Sequence, residues 1–155
     1  MRKCSNITVM NYLAVNKRAF FDYEILDAYE AGIELFGFEV KAIKSGRISL
    51  GGSFVVVKDE EMWLINANIA PYQPKNTPSS YDPERSRKLL LKKSEIKELI
   101  GRASQKGLTI VPLRMYNKNR KIKLEIGVAR HKKLHDKREA IKKRDTEREI
   151  ERENF

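Results

Sequence analysis

The chain has 155 residues, a length that suits one compact domain with room for a tail, and 41% of them are hydrophobic. Its 32 Lys and Arg against 21 Asp and Glu leave a formal net charge of +11, a field that gathers polyanions and makes nucleic acid the first partner to expect. No apolar run approaches the roughly 20 residues that span a bilayer, the lone Cys4 excludes an internal disulfide or thiolate zinc cluster, and no signal-peptide pattern follows Arg2 and Lys3, so a cytoplasmic protein without a membrane partner is expected.

From Tyr23 to Val40 apolar residues partly alternate, rich in Val, Ile, Phe and Tyr, and Gly32 and Gly37 interrupt where a helix would suffer. Strands with a bend or bulge at the glycines are favoured over a helix through Ala28 to Ala31. Asn16, Lys17 and Arg18 lie just before the first of these strands. Glu39 to Lys44 can make a short helical turn stopped by Gly46, with Arg47 at its exit. Phe54–Val57 and Met62–Ile65 read as a hairpin around Lys58, Asp59, Glu60 and Glu61.

Residues 70–83 carry Pro71, Pro74, Pro78 and Pro83 and read as an ordered loop across the surface. Asp82 followed by Pro83 has the look of an N-cap and first helical residue, which predicts a helix from there through Leu89, Leu90, Ile96, Leu99, Ile100 and Ala103, broken near Ser94 and ended before Gly107. Leu108–Tyr116 and Ile122–Val128 form the clearest strand pair, with Asn117 to Arg120 as the turn. Pro112 inside the first run calls for an edge position or a bulge. Short strands interrupted by one helix predict a mainly β fold with flanking helices, an OB-fold-like antiparallel β-barrel, closed or partly closed, plus a basic C-terminal tail. The expected organisation is an N-terminal extension over 1–14, a body over 15–129 and a tail over 130–155.

The tail gathers Arg130, Lys132, Lys133, Lys137, Arg138, Lys142, Lys143 and Arg144 around only Asp136 and Glu139. Ala140, Ile141 and Ile150 form no continuous apolar face, so the segment is expected to be disordered when free and helical against RNA, where phosphate contacts offset the ordering. His131 and His135, with Asp136 beside them, suggest acid–base chemistry, but neighbours on a mobile charged segment make a poor preorganised pair. A histidine among Lys and Arg more often stacks on a base or touches phosphate. No phosphate loop, paired catalytic carboxylates or metal-ligand spacing occurs elsewhere, so neither an enzyme nor a cofactor is expected.

Several short motifs, taken in order, are specific. They are Asn16-Lys17-Arg18-Ala19, Glu30-Ala31-Gly32-Ile33, Gly37-Phe38-Glu39-Val40-Lys41, Ala70-Pro71-Tyr72, Asp82-Pro83-Glu84-Arg85-Ser86-Arg87-Lys88-Leu89-Leu90-Leu91 and Lys132-Lys133-Leu134-His135-Asp136-Lys137-Arg138. From about Val15 to Lys143 the chain resembles the SsrA-binding (SmpB) family, whose partner is tmRNA. The resemblance implies an OB-type barrel that binds the tRNA-like domain of tmRNA and, with it, imitates a tRNA in the vacant A site of a stalled ribosome. It implies a tmRNA face at Asn16, Lys17, Arg18, Glu30 and Leu90. It assigns Lys132, Lys133, His135, Asp136, Lys137 and Arg138 to small-subunit rRNA at the decoding centre. A monomer off the ribosome is expected. The competing reading is another OB-fold translation factor or ribosomal protein that recognises rRNA directly. The chain departs from the family pattern at His131, where glycine is usual, at Gly51-Gly52, where an acid commonly precedes Ser53, and over residues 146–155.

Overall fold

The computed structural model describes residues 12–153; Cys4 and the rest of segment 1–11 lie outside the described residues, as do 154 and 155. Fourteen elements alternate along the described chain: β1 (Tyr12–Val15), α1 (Lys17–Asp22), β2 (Tyr23–Ile33), α2 (Gly37–Lys44), β3 (Ile48–Ser49), β4 (Phe54–Lys58), β5 (Glu61–Ile65), β6 (Asn68–Ile69), a single 3-10 turn (Pro74–Asn76), β7 (Arg87–Leu90), α3 (Lys93–Ala103), β8 (Leu108–Lys118), β9 (Lys121–His131) and α4 (Leu134–Glu153). Seven strands form one antiparallel sheet in the order β1-β8-β9-β2-β7-β5-β4, and β3 and β6 make a separate two-stranded ribbon.

Both expected hairpins form, and both turn on two residues in the left-handed region: Asp59 and Glu60 between β4 and β5, Asn119 and Arg120 between β8 and β9. Two consecutive positive φ values match the twist of the flanking strands, and Asp and Asn tolerate that geometry better than most residues. The bulge at Pro112 is present, between Pro112 and Arg114, but β8 is no edge strand, since β1 pairs along it. A second bulge lies between Ile25 and Asp27 of β2, away from Gly32.

Three expectations are corrected and one helix is added. The sheet is not a closed barrel. It curls until β4 faces β8, yet β1 pairs with β8 and β4 with β5, leaving both as edges, while α2 packs against β1. The strand from Tyr23 ends at Ile33, and Gly37–Lys44 is helix, stopped as expected at Gly46 with φ +81°. Lys17–Asp22 is a helix, because the Asn16 carboxamide oxygen accepts the Ala19 N–H and so caps it. No helix begins at Asp82. Its carboxylate accepts the Glu84 N–H in a local turn, and residues 87–90 are strand, paired with both β2 and β5.

The reason for the last correction is charge. Arg87 and Glu39 are both fully buried and joined at 2.6 Å, and Arg87 also donates to the carbonyls of Ala67 and Pro83 and to the Tyr81 hydroxyl. Arg85 donates its Nε to the same carboxylate at 2.8 Å. Burying such a pair is tolerable only when nearly every donor finds an acceptor. A strand meets that condition by turning Arg87 and Leu89 inward and Lys88 and Leu90 outward.

The inner face of the sheet packs Met62, Leu64, Leu89, Ala31, Leu124, Ile126 and Met115 against Ala42 and Ile43 of α2 and Leu99 of α3. A smaller cluster forms on the opposite face, where α1 lays Ala19 and Phe20 over Val111, Leu113, Ala129 and Ile25. Gly127 is required there: a Cβ at that position would meet Leu113 at 2.9 Å. α1 therefore covers one end of the outer face and leaves the other end open.

Candidate nucleic-acid interface

The register decides which side chains share the open face, since directly paired residues and those two apart point the same way. Glu30 pairs with Glu125, Gly32 with both Lys123 and Leu90, Tyr116 with Lys123, and Lys88 with Trp63. Alternate residues thus put Glu30, Leu90, Lys88, Lys123, Lys118 and Tyr116 on one surface. Leu90 is 49% exposed although its β-strand neighbour Leu89 is buried. Gly32 permits this close approach, because a Cβ there would lie 3.1 Å from that of Leu90.

Glu30 is not a loose surface acid. Its carboxylate accepts from the Tyr116 hydroxyl at 2.5 Å and from the Lys118 ammonium at 3.1 Å. Partial burial works to raise its pKa, but the Tyr116 and Lys118 hydrogen bonds outweigh that and hold it below the usual carboxylate value. The Tyr116 hydroxyl is pushed the other way, by burial and by donating to Glu30, so it stays a donor at any physiological pH. The result is a fixed acceptor set among lysines, suited to base amino groups while the cations take phosphates.

Arg114 joins this face to α1. Its guanidinium lies 4.9 Å from the Tyr12 ring centroid and 5.2 Å from that of Phe20, and its Nε is 2.8 Å from Glu125. Lys17 and Arg18 are exposed on α1, beside an open groove of about 300 Å³ that Val15, Ile48, Ser49 and Gly51 also line. Asn16 has a different position from its neighbours. It is buried, its side-chain N–H donates to the Pro112 carbonyl at 2.9 Å, and its main-chain N–H donates to Leu113 at 2.7 Å. The bulge at Pro112 frees that carbonyl, and Asn16 takes it. Asn16→Ala is expected to lower stability by about 1–2 kcal/mol through loss of the cap and the buried bond. Urea unfolding checks this, and an unchanged midpoint would exclude the structural role.

The tail residues sit on another part of the surface. His131 closes β9, its ring edge-on to Tyr23 at 5.1 Å, and the chain turns only at Lys132 and Lys133. His135 projects from the first turn of α4 with 79% of its side chain exposed, 3.7 Å from Glu139. Lys133, Asp136 and Arg138 are exposed as well. Lys132 and Lys137 turn instead to the body: the Lys132 ammonium donates to the Phe20 carbonyl at 3.2 Å, and Lys137 lies 3.0 Å from Asp22. Along α4 five cations face two acids from Leu134 to Arg144, and two face five from Asp145 to Glu153. Only its first half can attract a polyanion.

Tyr116, Lys118 and Lys123 were not singled out from sequence. The signal was the alternation of Lys121, Lys123 and Glu125 with buried Ile122, Leu124 and Ile126, which marks an exposed face without saying what lies opposite. Among the described residues no group of three or more His, Cys, Asp and Glu is placed to hold a metal ion, and no helix is long and apolar enough to cross a membrane.

The family model described as SmpB protein matches residues 13–154. An SsrA-binding protein of Gloeothece citriformis is 53% identical over 137 residues, 88% of each chain. One from a Sulfurihydrogenibium species is 54% identical over 140 residues, 90% of this chain and 91% of the relative. A solved structure described as "tmRNA-SmpB: a journey to the center of the bacterial ribosome" holds a chain 47% identical to this one, with a TM-score of 0.67, covering 83% of this chain and 93% of that one.

Proposed function

This chain belongs to the SmpB protein family, and from that membership we propose that it is a cytoplasmic RNA-binding adaptor, without chemistry of its own, that binds the tRNA-like domain of tmRNA and delivers it to the A site of stalled ribosomes for trans-translation. The observation that carries the reading is the open sheet face. Leu90, held out of the core beside the anchored Glu30 and the cations Lys118 and Lys123, gives one convex surface with an apolar contact, fixed acceptors and phosphate partners together. Lys17 and Arg18 extend it along α1, and Asn16 supports them from beneath. The curled sheet that carries the face is read as an opened OB-type barrel.

The tail is proposed as a second, separate RNA contact. Lys133, His135, Asp136 and Arg138 face small-subunit rRNA at the decoding centre, with Lys132 and Lys137 at the root. Every residue from Ile141 to Arg152 is exposed, so little burial supports the helix, which frays when the protein is free and orders against RNA. Off the ribosome the protein is proposed to be a monomer.

Gel shift on tmRNA with bulk tRNA as competitor, at moderate salt where nonspecific binding fades, tests the adaptor reading. Preference for tmRNA is expected. Equal binding to both would leave a general rRNA-binding translation protein in its place. Leu90→Ala sharpens the test, because an exposed side chain contributes little to folding. Stability is expected to change by less than about 0.5 kcal/mol while tmRNA affinity falls about tenfold. A variant that melts early and binds normally would return Leu90 to packing.

A further inference from the structure

The short helix α1 touches both RNA-facing parts of the molecule. Its first turn carries Lys17 and Arg18, and its last residue, Asp22, receives the tail. The Asp22 carbonyl accepts the Lys132 N–H at 2.9 Å, and its carboxylate lies 3.0 Å from Lys137 and 3.5 Å from Arg18. The Asp22 and Lys137 side chains are only 22% and 20% exposed, far less than His135 and Glu139 in the next pair along the helix. Two turns further on, Arg144 lies 5.4 Å from the Phe21 ring centroid, and Phe21, Ile141, Arg144, Asp145 and Arg148 line a cleft between the two helices. Beyond that the tail is exposed through Arg152.

We propose that Asp22 is a positioning residue for ribosome rescue: by gripping Lys137 it fixes the direction in which α4 leaves the body, and so sets where the tail points once α1 and the sheet hold tmRNA. The grip acts at the root, so the outer part of α4 remains free to order against RNA. A helix rises about 1.5 Å per residue, so His135 lies near the pivot and Arg152 about 22 Å beyond it. A small change of angle at Asp22 therefore moves the far end by many ångströms. Lys137 also holds the Asp22 carboxyl below the usual carboxylate value, so the pair remains charged at neutral pH. The same arrangement couples the two RNA contacts through one rigid element, because α1 packs through Ala19 on the sheet that carries the tmRNA face.

This inference rests on the adaptor reading, and its test separates the two. Spin labels at Lys58 and at Glu139, one turn from the root and short of the frayed stretch, with Cys4 replaced by Ser, report the body-to-tail distance in the free full-length chain. Asp22→Asn is expected to broaden that distribution, to leave tmRNA affinity within about twofold, and to lower tagging on stalled ribosomes about tenfold; Asp22→Glu, which keeps the charge, is expected to restore a narrow distribution and most of the tagging. An unchanged distance in Asp22→Asn would overturn the proposal, as would normal tagging despite a broadened one. If tmRNA affinity fell along with tagging, Asp22 would act through the tmRNA face and the positioning role would be lost. Failure of the adaptor reading would appear instead as no tmRNA preference in the unsubstituted chain.

Discussion

A chain ending at Lys132 is expected to bind tmRNA within about twofold of the full-length protein, because every strand of the open face lies before Lys132 and keeps its pairing. It is expected to support no tagging on stalled ribosomes. The position of the cut matters. The sequence predicts a body that ends at residue 129, but β9 continues to His131, Ala129 is fully buried under α1, and Arg130 pairs with both Leu108 and Glu24. Cutting at Val128 would open the smaller core and confuse loss of the tail with loss of the fold. Cutting after Lys132 keeps β9, the Lys132 N–H bond to Asp22 and the Lys132 ammonium on the Phe20 carbonyl. Gel shift at moderate salt and a peptide-tagging assay read the two activities separately. Loss of tmRNA binding in the shortened chain, with the tail peptide alone retaining it, would reverse the proposed division of labour.

Local signals made the hairpins legible. Asp59 and Asn119 stand in short turns between alternating runs, and both strands of each pair lie within a dozen residues of their turn. What escaped was decided by distant partners. α1 has six residues and no periodic pattern; its cap, Asn16, is fixed by a carbonyl 96 positions away. Residues 82–91 look like a helix start followed by leucines, yet their conformation follows from a carboxylate 48 positions before Arg87. The candidate site divides in the same way. Glu30, Leu90, Lys17 and Arg18 enter through family resemblance, but Tyr116 and Lys118 become neighbours of Glu30 only when β2, β9 and β8 are in register. The resemblance puts Asn16 at the tmRNA face as well, and its burial and cap add a structural task that no local pattern announces.

Glu39→Gln is expected to lower stability by about 3–5 kcal/mol, the largest effect of any single substitution considered. The carboxamide keeps the shape of the side chain, so no cavity opens. What changes is charge: the Arg87 guanidinium, fully buried, keeps its carbonyl acceptors at Ala67 and Pro83 but loses the carboxylate that balances it. Arg85→Ala removes the partly exposed partner of the same carboxylate and is expected to cost only about 1 kcal/mol, because Glu39 and Arg87 still balance each other in the core. Replacing Glu39 and Arg87 together by Met removes both buried charges and is expected to recover much of the loss, which a packing defect would not. Thermal unfolding followed by circular dichroism compares the three variants, and a Glu39→Gln midpoint close to that of Arg85→Ala would show that the buried pair does not hold this region. The pair also sets what the open face presents. With Arg87 and Leu89 directed inward, Leu90 must face out beside Gly32, and a slip of one residue in β7 would exchange Leu89 for Leu90 on the open face. A buried ion pair therefore selects which leucine stands on the face proposed to bind tmRNA, and the double Met variant is expected to regain stability faster than it regains tmRNA affinity.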